Sequence, residues 1–232
     1  MTLRSSAVSA VSVALALSGA AVPLAAQVGH EPDRSPFRDI ESSHTLTPSF
    51  GYLWGSGGTL GLGPHDGPVY GLRVDARVSA PLALGLALSY GDLKRNYFDL
   101  QDSTGTALRG QIKTHVVQAE VSAQLNLTGK KSWHHLAPFI GINGGLAFAN
   151  SAKVDSTGYK FGAKFLFAPM AGTRITLARG VMLRAEWRWN FWQLKYPAAY
   201  SLPTPGQERL LGSTLSEWVA TPTLIAGLSI GF

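Results

Sequence analysis

From Ser49 onward, apolar and polar residues alternate with a period of two, the repeat of a strand with one greasy face. "VYGLRVDARVS" (69–79) sets Tyr70, Leu72, Val74, Ala76 and Val78 against Gly71, Arg73, Asp75, Arg77 and Ser79. "LALGLALSYGDLKRNYF" (82–98), "QIKTHVVQAEVSAQLNL" (111–127), "APFIGINGGLAFAN" (137–150) and "FGAKFLFAPMAGTRITL" (161–177) repeat the pattern. "VMLRAEWRWNFWQLK" (181–195) and "WVATPTLIAGLSIGF" (218–232) complete it, and the Gly-rich, aromatic "SFGYLWGSGGTLGLG" (49–63) opens it. The pattern predicts eight strands. Several run to about 15 residues, against about 5–6 in ordinary sheets and about 9–11 for a tilted strand crossing a bilayer.

The connections alternate in length. "APL" (80–82), the stretch around "TGKKSWHH" (128–135) and "ARG" (178–180) are the tight set. Residues 99–110, 151–160 and 197–217 are longer and polar, while "PHDGP" (64–68) belongs to the long side by parity but is short. Eight strands with short turns at one end and long loops at the other describe an up-and-down transmembrane barrel. An even count puts both ends of the barrel on the short-turn, periplasmic side.

The residues also decide which face meets lipid and which lines the interior. The greasy faces carry aromatics near strand ends, predicting one girdle at Trp189, Phe191 and Trp218 and another at Phe50, Tyr52 and Phe232. The other faces hold Gly, Ser, Thr, Gln and Asn with a few charges of both signs: Arg73, Asp75, Arg77, Glu120, Arg184, Glu186 and Arg188, with Arg174 joining them. An Arg or Lys facing lipid at midplane costs about 2–4 kcal/mol, so these charges are expected to point inward and pair. In an eight-stranded barrel the interior is narrow enough for side chains to fill it.

Composition narrows the picture. Only 15% of the 232 residues are charged, 45% are hydrophobic, and cysteine is absent, which excludes disulfides and cysteine catalysis. The net charge of +6 forms no basic run beyond Lys130-Lys131, which argues against nucleic acid as a partner. At the N-terminus, Arg4 precedes the apolar "AVSAVSVALAL" (7–17) and the small-residue "SGAAVPLAA" (18–26). That is the layout of a secretory signal peptide cleaved near Ala26, and the apolar run is too short to span a membrane. The expected organisation is signal peptide 1–26, a polar, weakly ordered periplasmic lead-in 27–48, and a barrel over 49–232.

Candidate chemistry is sparse. His30 and His44 lie in the lead-in, and His65 sits beside Asp66 in "PHDGP". His134-His135, in a periplasmic turn beside Trp133, lack a third ligand for a metal. The "GSGG" of 55–58 reads as glycines permitting barrel curvature within a strand. His115, near the outer end of the fourth strand, falls within reach of Ser89 and Asp92, which have opposite parities. A nucleophile–base–orienter set there would make a lipid-modifying enzyme.

On these residues the chain resembles the eight-stranded OmpA/OmpX-type outer-membrane barrel proteins over roughly 49–232. Its ending also resembles the signal read by the barrel-assembly machinery, in which Gly227 is followed by Leu228 and Ile230 up to the terminal Phe232. The resemblance implies an all-β fold in contact with outer-membrane lipid, assembled by that machinery. The residues and the resemblance lead to a monomeric, non-enzymatic barrel with a plugged polar interior and no cofactor. Its expected role is structural, surface-binding or adhesion-like through the outer loops, of which 197–217 is the longest. A small pore and a lipid-modifying enzyme remain open as alternatives.

Overall fold

The structure is a computed structural model that describes residues 35–98, 108–149, 158–201, 211 and 214–232. The expected signal peptide lies outside the described residues, as do parts of the loops at 99–110, 151–160 and 197–217. Eight long strands follow in chain order: β1 His44–Leu53, β2 Gly67–Arg77, β3 Leu82–Phe98, β4 Leu108–Asn126, β5 Leu136–Ala149, β6 Gly162–Ala178, β7 Val181–Lys195 and β8 Ser216–Gly231. Each pairs antiparallel with its sequence neighbours, and β8 returns to β1 with Leu224 opposite Tyr52 and Gly231 opposite Thr45. The barrel is closed, so none of these strands leaves an unpaired edge.

Exposure alternates along every strand. Leu72, Val74, Leu84, Leu86, Leu88, Val121, Ile140, Ile142 and Leu228 are all exposed, while Arg73, Asp75, Ser89, Glu120 and Ser229 are buried. A greasy belt of this extent is untenable in water and natural in hydrocarbon, so the outer wall is built for lipid.

The structure departs from the sequence pattern at the first strand. Its start is His44, five positions before Ser49, because Thr45 and Thr47 already pair with Asp75 and Arg73 of β2. Its end is Leu53, so the "GSGG" glycines do not curve a strand. They belong to a long outer loop, 54–66, in which Gly57 and Gly58 have φ of +67° and +86°. The earlier start also moves Phe50 and Tyr52 to the outer half of β1. Phe50 packs on Tyr70 at 5.4 Å, and Tyr52 leads through Trp54 to Trp187 and Trp189. Both therefore join the outer girdle rather than the periplasmic one. Phe232 keeps the periplasmic level, where its ring stacks on His44 at 5.8 Å.

The lead-in is also more ordered than its composition suggests. Phe37–Asp39 forms a short strand against a second short strand, Lys131–Trp133, which in turn forms a hairpin with the start of β5. Residues 40–43 then cross to β1 on the opposite side of the barrel. Two hydrogen bonds hold them there, from the Arg77 guanidinium to the carbonyls of Ile40 (2.9 Å) and Ser42 (2.6 Å). Arg179 in the β6–β7 turn adds an ion pair to Glu41 at 2.7 Å.

Candidate functional site

The inward faces bring the predicted charges together. Arg73, Asp75, Glu120, Arg174, Arg184, Glu186 and Arg188 are buried, and Arg77 sits half-buried at the periplasmic mouth. Some of their contacts run along one strand, and others cross the lumen between strands that are not neighbours. Arg188 on β7 donates to both oxygens of Glu120 on β4, at 3.1 and 2.9 Å. Arg184 donates to Glu186 Oε2 through Nε (3.0 Å) and Nη2 (2.6 Å). Arg73 donates to Asp75 at 2.9 Å, to Ser122, and to Asn143 at 3.3 Å.

The central connector is Gln124, which with Gln118 and Asn190 is one of the polar residues whose presence among the charges favours a plug. Its amide nitrogen donates to Asp75 on β2 at 2.6 Å. Its carbonyl oxygen accepts from Arg174 on β6 (2.9 Å) and Arg184 on β7 (3.0 Å). The ring of Phe139 lies under both of these guanidiniums, with the Arg184 carbon 4.2 Å from its centroid. Room for this network depends on Gly85, where a Cβ would meet the Asp75 carboxylate and the Ser122 hydroxyl. Two cavities beside it measure about 30 and 20 Å³, each on the scale of one water molecule.

Above Asn190 the interior changes character. Each strand places one buried apolar residue at this level: Leu53, Val69, Leu93, Val116, Ala147, Leu166, Trp192 and Val219. Loop 54–66 folds inward over them and buries Leu62 completely. The loop is clasped at several points. The Thr59 amide and hydroxyl donate to the Glu217 carboxylate at 2.7 and 2.9 Å, and the Tyr196 hydroxyl donates to the same group. Asn96 Nδ2 donates to the Leu60 carbonyl at 3.1 Å, and His65 exchanges backbone hydrogen bonds with Lys94. A side chain at Gly58 would strike Glu217 and Tyr196, and its φ is one that L residues rarely adopt. Burial pushes the Tyr196 phenol up, and its hydrogen bond to Glu217 adds to the shift. For Glu217 burial acts to raise the pKa, but the hydrogen bonds from Tyr196 and Thr59 outweigh it and hold the carboxyl below its usual range.

The histidines separate. His65 is buried in the plug loop, its Nδ1 2.9 Å from the Gly63 carbonyl oxygen. His115 is on the outside, stacked on Tyr90, with Nδ1 2.6 Å from the Tyr90 hydroxyl and 3.6 Å from Asp92. Ser89 is not part of this group, because it points into the barrel and donates to Gln118 at 3.1 Å. His134 and His135 form the two-residue turn between Trp133 and Leu136, at φ of 47° and 68°. Left-handed backbone costs an L residue about 1–2 kcal/mol, and Asn-Gly is the pair such turns favour. Among the described residues, no group of three or more His, Asp or Glu converges as a metal site.

The fold defines a class: the closed, eight-stranded antiparallel barrel of OmpA/OmpX-type outer-membrane proteins. Two solved structures share it. Neisserial surface protein A (NspA) matches with a TM-score of 0.54 at 14% identity, over 82% of this chain and 98% of that one. The outer membrane protein OprG from Pseudomonas aeruginosa matches with a TM-score of 0.52 at 9% identity, over 85% and 99%. At these identities the likeness is one of fold. No protein-family model matches the chain, and no curated protein matches its sequence.

Proposed function

We propose that the protein is a non-enzymatic, non-conducting barrel of the outer membrane, monomeric and inserted by the barrel-assembly machinery. Its working surface is the set of outer loops, in a structural, surface-binding or adhesion-like role. One observation carries the non-conducting part: Gln124 and the arginines bind across the lumen from β2, β4, β6 and β7. Such contacts have to break before an ion passes, and charged hydrogen bonds at low dielectric are hard to break. The inward-folded loop 54–66 and the 40–43 crossing, one toward each mouth, support the same reading.

The non-enzymatic part draws support from the inward Ser89, which the sequence placed within reach of His115 and Asp92 and which instead donates to Gln118 inside the barrel. Planar-bilayer recording of the purified chain tests the barrel reading. Silence is expected, and steady unitary steps whose size changes in Arg188→Ala would establish a pore instead. Lipid A mass spectrometry on cells expressing the wild type tests the enzyme reading, for which unchanged acyl patterns are expected.

A further inference from the structure

The hairpin tip at His134-His135 keeps two side-chain-bearing residues in left-handed backbone, where Asn-Gly would sit without strain. Its surroundings indicate what the imidazoles are kept for. Phe37 pairs with Trp133, and Trp133 with Leu136, so the three share the outward face of the sheet. All three are exposed, and they extend the lipid-facing column that continues up β5 through Ile140 and Ile142. The short strands thus carry the greasy wall to the periplasmic interface, and the amphipathic Trp133 ring ends it.

Two lysines and two histidines lie at that edge. Lys130, Lys131, His134 and His135 are all exposed, and Asp39, in register with Lys131, is the acid across from them. The His134 ring meets Trp133 edge-on at 4.8 Å, which holds an imidazole beside the indole at headgroup depth. The backbone is locked, with the Ile40 amide donating to the Lys130 carbonyl at 2.8 Å and the Thr176 amide to the His135 carbonyl at 2.8 Å. A rigid aromatic row ending in two lysines and two imidazoles is complementary to a phosphate attached to acyl chains.

We propose that this corner is a binding site for anionic phospholipid of the periplasmic leaflet, with Lys130, Lys131 and the two histidines holding the headgroup phosphate. The proposal rests on the outer-membrane reading above. The experiment uses the folded full chain in detergent micelles doped with equal phosphatidylglycerol and phosphatidylcholine, with native mass spectrometry counting retained lipid. A gel shift between unboiled and boiled samples establishes first that each variant is a barrel; without that shift in the wild type, the barrel reading itself fails.

The expected result is an excess of phosphatidylglycerol over phosphatidylcholine that falls about fivefold for each lysine neutralised in K130Q and K131Q. The charge-keeping K130R/K131R retains the excess. The H134N/H135G double variant separates folding from binding, because its relaxed turn raises the unfolding temperature while the excess falls. Equal retention of the two lipids by the wild type overturns the proposal, as does an excess left intact by K130Q/K131Q or by H134N/H135G. Binding to isolated peptidoglycan sacculi that needs the lysines, without any lipid preference, overturns it in favour of a cell-wall partner.

Discussion

Along β7 the two faces exchange character between Asn190 and Trp192. Below that point the inward residues are Met182, Arg184, Glu186, Arg188 and Asn190, and the outward ones include Leu183, Trp187 and Trp189. Above it the inward residues are Trp192 and Leu194, and the outward ones are Gln193 and Lys195. Strand β3 does the same, with Ser89 giving way to Leu93 inside and Leu88 to Asp92 and Lys94 outside. The lower region is polar within and greasy without; the upper is built like a water-soluble protein. One continuous set of strands thus obeys two opposite rules, and on the proposed outer-membrane reading the reversal is expected at the upper edge of the hydrocarbon layer, where Trp218 lies opposite Gln193. The medium around the wall, rather than the strand itself, dictates which face is apolar.

The largest expected effect lies in the lower region. Arg184→Ala leaves Glu186 buried without its main partner, and a loss of about 3–5 kcal/mol is expected in urea unfolding from lipid vesicles. Trp192→Ala tests the upper region, where truncating a fully buried ring costs about 3–5 kcal/mol. The two are told apart by hydrogen exchange. Trp192→Ala should expose amides of loop 54–66 and the end of β7 and leave the polar region protected. Loss of protection throughout the barrel would show that the two regions unfold as one.

An outward charge probes the boundary directly. Leu86→Arg, in the middle of the greasy wall, is expected to cost about 2–4 kcal/mol, whereas Gln193→Arg beyond the reversal should cost about 0–1 kcal/mol. Equal costs would erase the distinction. The smallest effect concerns the clasp. Glu217→Gln weakens the hold on Thr59, and about fivefold faster exchange of the Thr59 amide is expected for a lost hydrogen bond worth about 1 kcal/mol. The Glu217 carboxyl is held below its unfolded value of about 4.5. Its contribution is therefore complete above about pH 4.5 and is lost as the pH falls through the lower folded value. The wild-type clasp should be insensitive between neutrality and pH 5 and loosen only in stronger acid, which exchange rates at each pH measure.

Much of the fold was readable because period two is a local property. The alternation around Val74, Leu86 and Val121 reports its face whatever the partner, and so do the inward positions of Arg73, Glu120 and Arg188. The reversal at "WQLK" (192–195) is written in the chain as a change of parity of the apolar residues, but reading 181–195 as one alternating strand passes over it. The first strand misled for a related reason. The aromatic and glycine run after Ser49 resembles a strand by composition, while His44–Pro48 looks like linker until β2 and β8 supply its hydrogen bonds.

By itself the sequence determined the eight strands, their greasy and polar faces, the lipid-facing wall and the closing position of Phe232. Each of these depends on side-chain pattern within a segment. Tertiary structure decided the rest: Gln124 as the hub of the interior, loop 54–66 as a plug, residues 40–43 as a crossing of the lower mouth, and the alignment of Phe37, Trp133 and Leu136. All four include contacts between residues far apart in the chain, such as Gln124 with Asp75 and Phe37 with Trp133. Such contacts depend on barrel closure, which brings opposite walls within hydrogen-bonding reach, and no local periodicity encodes that distance.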